Sequence, residues 1–558
     1  MALSACQSST FTFPFIAGTT LVSLTAQVFN QSNPSIFPIE TYASTPVPLN
    51  HSLSFCNVSL TYSHPGYNDA VNTNVYLPFN NDWNGRLLGV GGGGFDTGEN
   101  AKLMLGGLVL GYAAVSTDGG HRGGAFTPDI ASVADWAILS PGNNNLPLIE
   151  DFATTSVRDT SMISKSISTA FYGKSPKKAY WTGCSQGGRQ GHMLAQRYPG
   201  TYDGILANAP AINWGQFFPN MLWPAAVMNS IKYYPAPCEI AAITTAAVKA
   251  CDGLDGVVDG VISRNDLCHF DATTVVGQEI NCDETGQLVD TDTDTNVTTY
   301  KVKISQGAAT MMNLTWQGST SADGLFEWYG YGRGADISVT GNTTCELADA
   351  SGESDSRFNC TAVPLLLGEN WIRKFIYAVP EDNLKTHAAS GPVPPWSFMA
   401  NITSREAYDE IFKLSLVTFT DWLETASSNL DDFRKRGGKL LTWHGGNDQY
   451  IAPNGTVDYY ERVLARDRSL RVQTSDYYRF FEAPGLPHCA MGPGPYPLTG
   501  LDALVKWVEE GQAPDTLDAV SLPDATGQTW ARPLCLYPKK QVWNGKGNPR
   551  DPSGWTCQ

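Results

Sequence analysis

Short apolar runs alternate with amphipathic stretches from about residue 80 to 215, and the pattern predicts strands and helices in turn. Arg86–Val90 reads as a strand that ends in Gly91-Gly92-Gly93-Gly94. Tyr112–Thr117 reads as a second strand, followed by a helical stretch near 155–172. Ala179–Thr182 is a strand running into the turn at Gly183, and the segment from Gly187 to Tyr198 is helical in pattern. Gly204–Pro210 is the next strand. Such alternation predicts a mostly parallel sheet with helices on both faces, an α/β fold. The pattern lapses from about 215 to 425, a stretch rich in Thr, Asp, Gly and Trp that holds Cys238, Cys251, Cys268, Cys282, Cys345 and Cys360. It resumes at Gly437–His444, continues through a helix near 456–466 and the strand Tyr478–Ala483, and closes with a helix near 500–510. The expected organisation is a discontinuous core, 1–214 and 426–558, around an inserted disulfide-stapled domain, 215–425.

The candidate chemistry lies at the strand ends. Gly183-Cys184-Ser185-Gln186-Gly187 has the Gly-x-Ser-x-Gly form of a nucleophile elbow, at a strand-to-helix junction. In α/β-hydrolases the acid and the histidine follow the serine in that order. Asp448, past the strand ending at His444, and His488, in the loop after Tyr478–Ala483, fit this order. His444 precedes the acid and suits a structural hydrogen bond better than the role of base; His121 and His192 rank lower still. Cys184 directly precedes the serine and Cys489 directly follows the histidine. Serine and base must meet within roughly 3 Å, so their neighbours approach disulfide distance, and a Cys184–Cys489 bridge is expected. Oxyanion donors are expected from the N–H of Gln186 and from Gly92 or Gly93.

Charge and cysteine usage narrow the class. A net charge of −17 and the lack of a Lys/Arg cluster exclude a nucleic acid partner. No run of about 20 apolar residues suggests a membrane span. Twelve cysteines, none in a C-x-x-C pair, accompany sequons at Asn30, Asn50, Asn57, Asn296, Asn313, Asn342, Asn359, Asn401 and Asn454. Together they predict a secreted, N-glycosylated, disulfide-bonded chain whose signal peptide has been replaced by a start Met. The segment Cys251–Val261 spaces Asp252, Asp255 and Asp259 among glycines, a set of hard oxygen donors suited to Ca²⁺. The acidic run Asp290, Asp292, Asp294 reads as a solvated loop. Some of Trp214, Trp223, Trp316, Trp328, Trp371 and Trp396 are candidates for lining an aromatic acyl pocket.

With these residues in place, the chain resembles the fungal tannase and feruloyl esterase family. The likeness rests on Cys184-Ser185, Asp448 and His488-Cys489, on Gly183–Arg189, and on Gly437–Leu441 leading to His444-Gly445. It extends from about Cys56 to Cys557. The resemblance implies an α/β-hydrolase core with a large inserted lid. It also implies a structural calcium site at Asp252, Asp255 and Asp259 with the carbonyls of Val257 and Val261. It implies the pairings Cys6–Cys56, Cys251–Cys268, Cys345–Cys360 and Cys535–Cys557, with Cys238–Cys282 left over. Tyr233–Glu239 and Gly91–Phe95 look tannase-like, which ranks galloyl esters first among phenolic ester substrates and hydroxycinnamoyl (feruloyl) esters second. The competing readings are a non-catalytic glycosylated binding protein on a hydrolase scaffold and a serine carboxypeptidase.

Overall fold

The computed structural model describes residues 2–32, 52–79, 82–98, 101–121, 136–289, 297–348, 357–379, 401–524 and 526–558. Its centre is a nine-stranded sheet. In chain order the strands are β1 (Thr20–Ser32), β2 (Ser52–Ser63), β3 (Val71–Pro78), β4 (Arg86–Val90), β5 (Ala113–Thr117), β6 (Lys178–Cys184), β7 (Gly204–Asn208), β8 (Lys439–Gly445) and β9 (Tyr478–Ala483). Their spatial order is β1-β2-β3-β5-β4-β6-β7-β8-β9. The six strands from β5 to β9 run parallel, and β1 to β3 extend that sheet as antiparallel neighbours. This is the mostly parallel sheet expected from the alternation, in the α/β-hydrolase form that the family resemblance implies.

Consecutive residues of the parallel strands enter opposite cores. Leu87, Ala113, Leu440 and Phe480 belong to one buried cluster, and Leu88, Ala114, Leu441 and Phe481 to another. A sheet covered on both faces has strands that are apolar throughout, as in the fully buried Ala113–Thr117. Three helices cover the first face: α1 (Ser156–Tyr172), α2 (Gln186–Arg197) and α3 (Asn454–Ser469). The helix Gly500–Glu510 covers the second with Leu501 and Leu504.

The three antiparallel strands were absent from the expected pattern, although β3 buries Val71, Thr73, Val75 and Leu77 at every second position. That period of two is the strand signal; β1 lacks it, because this edge strand is largely exposed.

Between β7 and β8 the chain builds a separate apolar cluster around Trp223, Met311, Trp371 and Phe412. Phe95 and Ile451, from loops at the C-terminal ends of the strands, and Phe152, from the helical turn that leads into α1, join it. The insertion therefore packs over that end of the sheet. Six disulfides are present: Cys6–Cys56, Cys184–Cys489, Cys238–Cys282, Cys251–Cys268, Cys345–Cys360 and Cys535–Cys557. All the expected pairings occur. Among the described residues no helix is long and apolar enough to cross a membrane. Asn50, Asn296, Trp396 and the run Asp290, Asp292, Asp294 lie outside the described residues.

Candidate active site

Four strands deliver the site from their C-terminal ends, where ligands of open parallel sheets bind. β4 leads to Gly91–Gly94, β6 to Ser185, β8 to Asp448 and β9 to His488.

Ser185 sits at φ 61°, ψ −119°, between β6 and α2. A non-glycine residue there stores strain of about 1–3 kcal/mol, which the surroundings hold in place. The Ser185 N–H donates to the Asn208 carbonyl at 3.0 Å, and the N–H groups of Arg189 and Ala211 donate to the Ser185 carbonyl at 2.9 and 3.0 Å. The elbow glycines are sterically required. A Cβ on Gly183 would lie 2.5 Å from the Gly187 backbone, and one on Gly188 2.6 Å from the Asn208 carbonyl oxygen.

Asp448 is fully buried. Its Oδ2 accepts from His488 Nδ1 at 2.6 Å and from His444 Nε2 at 3.0 Å. Its Oδ1 accepts from the N–H groups of Tyr450 and Ile451 at 2.9 and 2.8 Å. Burial alone would raise its pKa, but the two imidazoles outweigh burial and hold it far below the usual carboxylate range. The acid and histidine loops are stitched together. Asn447 N–H donates to the Leu486 carbonyl at 3.0 Å, and His488 N–H donates to Gln449 Oε1 at 3.0 Å. Tyr450 packs edge-on against the His488 ring at 5.3 Å.

Across the site, the Cys184–Cys489 bridge joins the residue before Ser185 to the residue after His488, with Cα atoms 5.9 Å apart. Ser185 and His488 line one cavity of about 220 Å³. Its walls include Trp214, at the last position of the first core segment, and Phe217, Phe218, Met221 and Leu365–Leu367 from the insertion. Of the tryptophans considered, only Trp214 lines it among the described residues; Trp223, Trp316, Trp328 and Trp371 pack in the insertion core.

The other histidines lie elsewhere. His444 is buried between Thr456 and Asp448, with Nδ1 2.8 Å from Thr456 Oγ1. His121 stacks on Trp136, and His192 is enclosed against Tyr459 and Tyr478. Burial pushes both down to about 3. Neither lines the cavity.

One oxyanion expectation is corrected by a side chain from α2. Gly92 N–H donates to Gln190 Oε1 at 3.1 Å, and the Gly92 carbonyl accepts from Gly187 N–H at 2.9 Å. Gly92 thus ties the glycine loop to the elbow and leaves the donor set. Gly93 and Gln186 retain backbone N–H groups without an acceptor among the described residues.

Three contributors had been missed: Thr456, Gln449 and Arg189. Arg189 is completely buried and faces no carboxylate among the described residues. It donates from Nε to Gln186 Oε1 at 2.7 Å and from its terminal nitrogens to the carbonyls of Phe152, Ala153 and Leu423. Burial brings its pKa down to about 9. It thereby pins Gln186, whose backbone faces the serine, to the α1 entry and to the end of the insertion.

In the loop 251–261, Asp252 accepts from the N–H groups of Asp259 and Gly260 at 3.0 and 2.8 Å. Asp255 and Asp259 each keep one buried oxygen, Oδ2, without a hydrogen bond. Both oxygens face the guanidinium of Arg532. Those two oxygens are thus ion-paired with the chain's own Arg532; the three carboxylates are by type the hard oxygen donors that Ca²⁺ takes.

The family model described as "Tannase and feruloyl esterase" matches residues 56–558. A "Probable feruloyl esterase" of Arthroderma benhamiae is 34% identical over 92% of this chain and 88% of its own length. The "Tannase" of Aspergillus oryzae is 30% identical over 88% of this chain and 84% of its own. The solved tannin acyl hydrolase from Aspergillus niger superposes with a TM-score of 0.81 at 26% identity, over 100% of this chain and 95% of that one. An α/β-hydrolase sheet matched in sequence and shape over nearly its full length to these enzymes makes this chain a member of the tannase and feruloyl esterase family, a carboxylic ester hydrolase of phenolic esters.

Proposed function

We propose that the chain is a secreted, glycosylated serine esterase that works through an acyl-enzyme. Ser185 Oγ attacks the ester carbon while His488 takes its proton and returns it to the leaving alcohol. Water then repeats the cycle in reverse and releases the acid. Asp448 fixes the His488 tautomer and stabilises the imidazolium. The N–H groups of Gln186 and Gly93 face the developing oxyanion, and loss of one such donor typically removes about 2.7–4 kcal/mol of barrier lowering. Residues 215–425 act as the lid over the core formed by 1–214 and 426–558. Asp252, Asp255 and Asp259, with the carbonyls of Val257 and Val261, would hold a structural Ca²⁺ that supplies charge neutralisation within the lid.

The observation that carries this reading is the cavity that Ser185 and His488 share with Trp214, Phe217, Phe218 and the leucines. It also bears on the acyl group. Beyond Ser185 and His488, its described polar lining is Tyr450, Gln186 and the unmet indole N–H of Trp214, and the Gln186 side-chain carbonyl already accepts from Arg189. Gln186 Nε2 is a buried donor without an acceptor; it can meet an ether oxygen but not a phenolic hydrogen. A trihydroxylated ring would bury more O–H donors than this described lining has acceptors for, at about 1–3 kcal/mol for each hydrogen left unmet. This supports hydroxycinnamoyl esters over galloyl esters and reverses the order taken from the sequence. The test is kcat/KM for methyl ferulate, methyl gallate and a blocked dipeptide. Ferulate fastest is the expected result. Gallate fastest overturns the acyl assignment, and peptide fastest overturns the esterase reading.

A further inference from the structure

A second cavity, of about 320 Å³, shares no lining residue with the catalytic one. It lies where three parts of the chain meet. Asn265 comes from the insertion just past the calcium loop, Gly446 and Glu482 from the ends of β8 and β9, and Lys539 and Gln541 from the C-terminal segment. Its lining mixes polar and apolar surface in nearly equal parts, whereas the acyl pocket is mostly apolar.

Gln541 is 5% exposed, and both its Oε1 and its Nε2 are buried without a hydrogen-bond partner. A buried amide with donor and acceptor both unmet is costly, and such groups are normally satisfied by protein, ordered water or a ligand. The unmet pair matches an acetamido group, which offers one carbonyl and one N–H.

A source for that group stands at the rim. Asn454 lines the same cavity at the head of α3, is exposed, and begins the sequon Asn454-Gly455-Thr456. Its carboxamide makes no hydrogen bond among the described residues. The contrast with other sequons is physical. The Asn313 amide is engaged with Ala272 N–H and Asp271, and Asn57 Oδ1 is buried within the sheet.

We propose that Asn454 is N-glycosylated and that its first N-acetylhexosamine occupies this cavity, with the acetamido group against Gln541. Nδ2 of Asn454 bonds to C1 of the donor sugar, the C1–oxygen bond to a lipid pyrophosphate breaks, and the amide proton departs with that leaving group. Modification precedes folding, because Thr456 is afterwards buried against His444. The sugar then bridges insertion, core and C-terminal segment. This inference rests on the secretory reading above.

The test uses the full chain secreted from a fungal host. Glycopeptide mapping should find Asn454 occupied. Native treatment with an endoglycosidase should trim exposed glycans, such as any on Asn30, Asn342 and Asn359, while sparing the one on Asn454. Gln541→Leu should lower Tm by about 2–4 °C, the scale of roughly 1 kcal/mol, and the shift should vanish in an Asn454→Gln background. An unmodified Asn454 beside other occupied sequons overturns this inference alone; no modified sequon overturns the secretory reading with it. Additive shifts also overturn the docking. Should Asn454→Gln fail to fold, occupancy and endoglycosidase protection in the wild-type protein decide. Ester hydrolysis, followed on the same samples, reports separately on the catalytic reading.

Discussion

Thr456 Oγ1 lies 2.8 Å from Nδ1 of His444, whose Nε2 lies 3.0 Å from Asp448 Oδ2. If Nε2 carries the proton toward the carboxylate, Nδ1 must accept, and the threonine hydroxyl selects that tautomer. The buried Asp448 carboxylate is thus served by two imidazoles, His488 from the cavity side and His444 from the core.

Thr456→Val should lower kcat about three- to tenfold with KM unchanged, the scale of one neutral hydrogen bond. Thr456→Ser should restore the rate. Asn454→Gln, which removes the same sequon without touching His444, should leave kcat as it is. Steady-state kinetics on the three variants check this.

Asp448→Asn should reduce kcat by about 10⁴-fold, because the amide imposes the wrong tautomer on His488. The native carboxylate is held below its unfolded value, so its stabilising contribution is present above the unfolded pKa of about 3.9 and is lost only as pH falls through the lower folded value. Asp448 therefore remains ionised across the mildly acidic and neutral range. Thermal unfolding of the variant should lose stability relative to wild type throughout the neutral range.

Within the insertion, Glu327 and Asp409 each bury a carboxylate oxygen without a hydrogen-bond partner. Burial first, and then Asp409, pushes Glu327 up to about 8. A carboxyl raised in the folded state stabilises below its unfolded pKa, and that contribution disappears as pH rises through about 8. Tm should therefore decline from mildly acidic pH toward pH 8, and Glu327→Gln should flatten the decline. Scanning calorimetry across that range is the check.

Chelation should lower Tm while leaving turnover at low temperature intact, since the loop 251–261 lines neither the acyl cavity nor the triad. Asp255→Asn should abolish the calcium-dependent part of Tm, which for a bound ion grows as RT ln(1 + [L]/Kd). Loss of turnover without loss of stability would contradict a structural role.

What could be read in advance follows from how local each constraint is. Gly183, Gly187 and Gly188 announce the elbow because backbone crowds each of them within about one turn of chain or one strand away. The strand ends that carry Asp448 and His488 were equally legible, since each strand holds a short apolar core, Leu440-Leu441 in one and Phe480-Phe481 in the other. Gly92 misled because its N–H is taken by Gln190, a side chain 98 positions away on another element. Arg189 hides its role for the same reason: its partners are carbonyls of Phe152, Ala153 and Leu423, and carbonyls leave no mark on residue identity. The edge strand β1, solvated along most of its length, carries too little alternation to register.

The Cys184–Cys489 link encloses the whole insertion within one covalent ring, 305 positions around. A protease that nicks any loop between those two cysteines cannot part the serine half from the histidine half. Such a cut molecule would run as separate fragments only after reduction. It would keep hydrolysing esters as a two-piece enzyme.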